Sequence, residues 1–336
     1  MMNEWHLLLT PLAVLAVFVL FRFVGCSSFT SADPVTAAYD VAVGADAPVS
    51  YWRLQEPAGA TTAKDERGLG NGTYDKAASP LAAGAPALKS TAVNPTVVET
   101  GVAGPPPLLN LLAGEPPELS MRVRGGFVKV PFAGPLNPPE FTLEAVVFPE
   151  WDLSKKGSFF CVIESSSPLA TEPAKAKKLG YALYAGPDNP ADPSSPYHWQ
   201  FWVGNGTAFV RLKTKLPLAH PGPNENGEIN PGPAVGPVPT YLAATYSATE
   251  AFLFVYDENR DWDFVKYELD HQTYKAAGLA DLFIGISGPT RRALFSPPGP
   301  NQFLYPFNGR LAEVAVYGKV LSEPQIVSHM GSAFHR

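Results

Sequence analysis

Proline interrupts this chain 36 times, and glycine occupies 29 further positions. Proline lacks an amide N–H, costs a helix interior a hydrogen bond, and is kept out of the middle of sheets. Regular elements must therefore be short and fall between the prolines, with stiff irregular connections joining them. The stretches that remain carry period-two alternation, the signature of half-buried strands. Residues 48–54 (PVSYWRL) give the first strand signal. Residues 119–132 look like two short strands around Gly125 and Gly126, and 141–148 (FTLEAVVF) alternates well. Further strands are expected at 158–164, 180–185, 197–203, 208–213, 241–247, 251–256, 264–269, 282–287 and 310–317. In residues 197–203 the alternation puts Trp199 and Trp202 on opposite faces, one of them in the core. Turn clusters fill 64–74 and 257–263, and 77–117 and 216–239 are too rich in proline for regular structure. Such a series of short strands makes an all-β, two-sheet antiparallel sandwich.

One helix is signalled near the end. Ser322 is a good N-cap, Gln325 three residues on completes a capping box, and Pro324 suits the first turn. Ile326, Val327 and Met330 give that helix an apolar side.

With 17% charged and 46% hydrophobic residues, the bulk of the chain can bury a core and is not disordered. The net charge of −6 argues against nucleic acid, whose phosphates need a basic face. Two cysteines, Cys26 and Cys161, cannot make a disulfide framework or a cysteine-type zinc site; Cys161 sits in an apolar strand pattern as a small hydrophobe.

The first 26 residues are a different kind of segment. Residues 5–24 (WHLLLTPLAVLAVFVLFRFV) are apolar over about the 20 positions that span a bilayer core. Trp5 fits the interfacial aromatic preference, and Arg22 lies near an end, where its side chain can snorkel. Three readings stay open: a retained single-pass signal anchor, a cleaved secretory signal, and a lipoprotein signal ending at Cys26, since FVGC loosely resembles a lipobox. The absence of a basic n-region and the position of Arg22 favour the retained anchor. The organisation read from the sequence is an anchor over 1–26, a small-residue linker over 27–47, and a β-sandwich over 48–336.

Residues 39–74 and 307–317 carry a family resemblance. Tyr51-Trp52-Arg53-Leu54, then Asp65, Gly68, Gly72, Thr73 and Tyr74, resemble the opening of LamG-like jelly-roll domains of the concanavalin A-like superfamily. The segment FNGRLAEVAVY at 307–317, followed by Leu321, Ser322 and Ile326, is similar to that family's last strand and terminal helix. The resemblance implies a jelly roll whose first and last strands lie close together, covering sheet edges, with Trp52 packed inside and Tyr51 and Arg53 facing the other way. It places the domain outside the cytoplasm, on the periplasmic or cell-surface side. It also implies a structural Ca²⁺, for which Asp65, Asn71 and Glu313 are the candidate ligands; the family's acidic residue before that glutamate is here Ala312.

The superfamily's glucanases place three acids in a Glu-x-Asp-x-x-Glu strand motif. The nearest segment here, Glu150-Trp151-Asp152-Leu153-Ser154-Lys155, ends in lysine and lacks the acid/base pair. No enzyme is expected. Two binding readings remain. One is docking of protein partners in a membrane complex, through long loops that proline has already stiffened. The other is glycan binding through exposed aromatics, for which Trp262, Trp151 and Trp202 are the candidates.

Overall fold

The computed structural model describes residues 39–77, 97–104, 118–150, 159–166, 177–189, 192, 195–215, 218, 238–257, 261–269, 274–288 and 305–334. They belong to the compact unit Ala38–Arg336. Trp5, Arg22, Cys26, Trp151 and the apolar segment lie outside them, as do most of 77–117 and 216–239. Among the described residues no helix is long and apolar enough to cross a membrane.

Two antiparallel sheets of eight strands each form the sandwich. Along the chain the strands are β1 Ser50–Trp52, β2 Thr62–Ala63, β3 Gly72–Lys76, β4 Val97–Ala103, β5 Leu119–Arg124, β6 Gly126–Val130, β7 Phe141–Pro149 and β8 Phe160–Ser166. They continue with β9 Gly180–Pro187, β10 Tyr197–Gly204, β11 Phe209–Lys213, β12 Thr240–Tyr246, β13 Glu250–Asp257, β14 Asp261–Glu268, β15 Leu282–Ile284 and β16 Asn308–Tyr317. The first sheet runs β14-β13-β12-β7-β16-β5-β4, with β1 also paired to β16; the second runs β11-β10-β9-β8-β15-β6-β3-β2. Alternation sends Phe141, Leu143, Ala145 and Val147 of β7 inward to meet Tyr197, Trp199, Phe201 and Val203 of β10 in one apolar core.

The pair of strands expected around Gly125 and Gly126 exists, but its halves belong to different sheets. β5 lies in the first and β6 in the second. Gly125 makes the crossing with a φ of +73°, a conformation that costs a side chain energy. The first and last strands do pair, with Trp52 opposite Val314. Trp52 faces the core and Tyr51 the opposite face. That pairing covers the stretch of β16 that β5 leaves open, since β5 meets Asn308–Leu311 and β1 meets Val314–Val316; β4 and β14 end the sheet's main path.

Three segments depart from the sequence reading. Helix α1, Tyr39–Ala45, occupies the end of the expected linker and buries Tyr39 and Val43. Strand β4 falls inside the stretch expected to be irregular, because β5 offers it a hydrogen-bonding edge. Both ends of the expected polar turn at 257–263 are strand, with Asp257 closing β13 against Asp261 of β14. Helix α2, Glu323–Phe334, begins as its capping residues require: the Ser322 amide donates to the Gln325 side-chain oxygen at 2.9 Å. Ile326 is buried and Met330 half-buried, but Val327 points to solvent. Both helices lie against the outer face of the first sheet, where Tyr39, Val43, Ile326 and Phe334 pack with Tyr51, Val146, Tyr241 and Tyr317.

The crossing at Gly125 gives a direct test. Gly125→Val forces a β-branched residue into the left-handed region and is expected to destabilise the fold by about 1–3 kcal/mol in urea unfolding. Gly44→Ala in α1, whose new methyl meets nothing within 4 Å, is the control and should be neutral or slightly stabilising.

Candidate functional site

The residues proposed as calcium ligands are built into two separate hydrogen-bond sets. Asp65 is buried in the turn after β2, and its carboxylate accepts from four donors. The amides of Tyr51 and Arg67 reach Oδ1, and the Ser50 hydroxyl and Gly70 amide reach Oδ2, all at 2.9 Å. The Asn71 side-chain oxygen accepts from the Asp65 amide at 2.9 Å. The turn thus brings Asp65 and Asn71 together as a cap. Glu313 lies apart, at the other end of the Tyr51 side chain: it accepts from the Tyr51 hydroxyl, from Gln55 Nε2 at 2.6 Å and from Arg53 Nε at 3.5 Å. A cation would have to displace these donors from the oxygens it needs. Among the described residues no three His, Cys, Asp or Glu side chains converge on a common metal position. As arranged, Asp65, Asn71 and Glu313 do not fit one shared Ca²⁺.

Glu313 occupies a strained position. It sits in the bulge of β16, between the Ala312 and Ala315 registers, with a φ of +55°; neighbouring Leu54 has a φ of +60°. The bulge turns the Glu313 side chain beneath Tyr51 and Arg53. Burial pushes its carboxyl up to about 8, against the pull of Arg53 and Tyr51. With 1% of its surface exposed, it cannot reach a substrate and so offers no acid catalyst despite that raised pKa.

A second buried acid ties both helices to the sheet. Glu144 projects from β7 onto the outer face and is 0% exposed. It accepts from the hydroxyls of Tyr241 (2.7 Å), Tyr317 (2.9 Å) and Tyr39 (3.4 Å). His329 of α2 places Nδ1 2.9 Å from Glu144 and Nε2 3.0 Å from Asp46, just past α1. Each ring nitrogen faces a carboxylate, a geometry satisfied when both carry protons. Burial pulls the imidazole down, but Glu144 and Asp46 together hold its pKa above the usual value. Burial first, then Glu144, raises Tyr39, Tyr241 and Tyr317 as well.

The aromatic candidates divide sharply. Trp202 is on the outer face of the second sheet, but it is buried, and the Arg211 guanidinium lies 4.1 Å from its ring centre. Its indole N–H donates to Gln200 at 2.9 Å, so Trp202 packs as a structural ring with a face already occupied. Trp262 stands in strand β14 instead of a turn, half-buried, 5.6 Å from Phe254. It belongs to a strip that sequence reasoning missed. On the outer face of the β13–β14 hairpin, cross-strand neighbours pair Tyr256 with Trp262, Phe254 with Phe264 and Phe252 with Lys266. Phe264 is 44% exposed. The Lys215 ammonium lies 5.4 Å from its ring, and Lys266 lies 5.3 Å from the Phe252 ring while pairing with Glu250 at 2.7 Å. Read from the sequence, 264–269 is the hairpin partner of 251–256, but that strand starts after Trp262, which leaves Trp262 out of the alternation. Among its described residues the strip offers ring faces and cations.

Glu313 and His329 on the helix-covered face hold their protons more tightly in the fold. For Glu313 the folded pKa of about 8 exceeds the unfolded carboxyl value, so its contribution is full at acid pH and lost as pH rises toward 8. His329, also raised, has the same sign above its ordinary value. Stability is therefore expected to fall between about pH 5 and 8, and Glu313→Gln should flatten that slope in urea midpoints taken across the range.

No family model matches the chain, and no curated protein matches it. Similar solved structures include the enzymatically active domain of tailspike protein 2 from bacteriophage CBA120. It is 15% identical with a TM-score of 0.42, over 76% of this chain and 30% of that one. The Ruminococcus gnavus IT-sialidase CBM40 bound to alpha2,3 sialyllactose is 13% identical with a TM-score of 0.38, over 57% of this chain and 83% of that one. The binding domain of botulinum neurotoxin serotype D is 12% identical with a TM-score of 0.44, over 86% of this chain and 52% of that one. The assignment to a two-sheet sandwich rests on the sheets themselves.

Proposed function

We propose that this chain is a non-catalytic, LamG-like binding domain, tethered by its N-terminal apolar segment, held outside the cytoplasm, and docking a protein partner in a membrane complex. The observation that carries the docking reading is the aromatic strip of the β13–β14 hairpin, where Phe264 is exposed and Trp262 beside it half-buried. Rigid aromatic rings on a sheet lose little side-chain entropy on binding and give large contact area. The cations beside Phe264 and Phe252 favour a partner whose apolar side chains are rimmed by carboxylates. The tether supports the reading in a second way: it confines the domain to a surface and raises its effective concentration for neighbours. The two buried acids favour no catalysis, since each is enclosed by its own donors.

Glycan binding is the competing reading, and one experiment separates them. Native membranes are extracted in mild detergent, and the chain is sized and weighed intact, as wild type and as Trp262→Ala. Docking predicts a large assembly and a loss of about 10- to 30-fold in partner retention for the variant. A chain that runs alone, and whose capture on immobilised glycans depends on Trp262, would replace docking with the glycan reading.

A further inference from the structure

Strand β14 ends its sheet, and its backbone shows which groups face outward. The Leu269 amide donates to the Thr249 carbonyl at 2.9 Å, so residue 269 points its backbone groups at the preceding strand region. Backbone groups alternate along a strand. Residues 261, 263, 265 and 267 therefore bond to β13, and Trp262, Phe264, Lys266 and Glu268 turn their N–H and C=O groups to the open side. Tyr267, on the other face of the same strand, is 45% exposed. Among the described residues no strand pairs with this side of β14, and an edge with exposed aromatics is a template for another strand.

We propose that this edge pairs antiparallel with β14 of a second copy of the chain, about a two-fold axis through Phe264. The inference deepens the docking reading of the same hairpin: it uses the edge backbone, whereas that reading uses the ring faces. A two-fold axis perpendicular to a sheet keeps each side chain on its own face, so paired residue numbers must sum to an even number. Centring on Phe264 meets that condition. It makes residues 264 and 264, 262 and 266, and 266 and 262 reciprocal hydrogen-bonded pairs, using the outward groups identified above. The side chains match as well. Phe264 meets its own copy, and each Trp262 meets the Lys266 of the other chain, a cation beside an indole. The rows across the joined sheets read Phe254-Phe264-Phe264-Phe254 and Tyr256-Trp262-Lys266-Phe252. Joining the edges makes the two aromatic strips continuous.

The test uses the full chain in mild detergent. Paired hydrogen-bonded residues have Cα atoms about 5.5 Å apart, within disulfide reach. Under mild oxidation Phe264→Cys should give a covalent dimer at least tenfold faster than Val265→Cys, whose residue meets position 263 of the other copy. In sedimentation the wild type should be a dimer. Lys266→Pro, which deletes an outward amide and leaves the bonds to β13, should weaken association at least tenfold with an unchanged circular dichroism spectrum. Equal cross-linking at 264 and 265, or a wild type that stays monomeric at roughly 100 µM, where even a weak interface is populated, overturns the pairing. A monomer that still loses its partner on Trp262→Ala overturns the pairing alone and leaves the docking reading standing.

Discussion

The Glu144 carboxylate is the interaction on which the helix-covered side of this sandwich depends. A carboxylate sealed from water is costly unless every lone pair is engaged. Here the donors come from elements far apart in the chain: Tyr39 on α1, Tyr241 on β12, Tyr317 on β16 and His329 on α2. His329 then passes the link on to Asp46. One buried acid thus holds both helices over the same sheet face. A merely apolar contact between helix and sheet could slide; this one has a single arrangement that satisfies its polar atoms.

Glu313 solves a related problem in a different way. It accepts left-handed backbone in a bulge so that its carboxyl can lie under Tyr51 and Arg53. Arg53 in turn lies within salt-bridge distance of Asp40, Glu118 and Glu313. The bulge in the last strand, the first strand and the start of α1 are thereby fastened at one point. Strain of this kind persists only where surrounding contacts over-determine it. The two buried acids stiffen the helix-covered half of the first sheet. The aromatic hairpin lies beyond them at the sheet's edge, which is where a binding surface can remain open without loosening the core.

Several of these features were legible in residue order because they are local. Period-two alternation located β7, β10 and β12 and separated Trp199 from Trp202, while the family resemblance implied Trp52 inside with Tyr51 facing away. Ser322 and Gln325 marked the start of α2 because a cap is satisfied within four residues. Alternation also put Glu144 on the outer face, where a polar residue is ordinary. That two helices would cover it was invisible, since the covering residues lie more than a hundred positions away in sequence. Helix α1 was missed for the same reason: seven residues make no independent helix, and only packing on the sheet stabilises Tyr39–Ala45. Trp262 was read as a turn residue because Asp257 to Asp263 is polar. The hairpin's pairing extends β13 to Asp257 and starts β14 at Asp261, which puts Trp262 in a strand.

The sequence by itself determined that this chain folds as short antiparallel strands between prolines, which faces of those strands are apolar, and where the final helix begins. Each of these follows from interactions spanning a few residues. Tertiary structure alone decided that β5 and β6 part into different sheets at Gly125, that Asp65 and Glu313 are enclosed in separate sets of donors, and that the aromatics of β13 and β14 line up at an open edge. Those outcomes depend on which strands become neighbours. Neighbour choice is set by burial and hydrogen bonding summed over the whole sheet, a quantity that no local pattern contains.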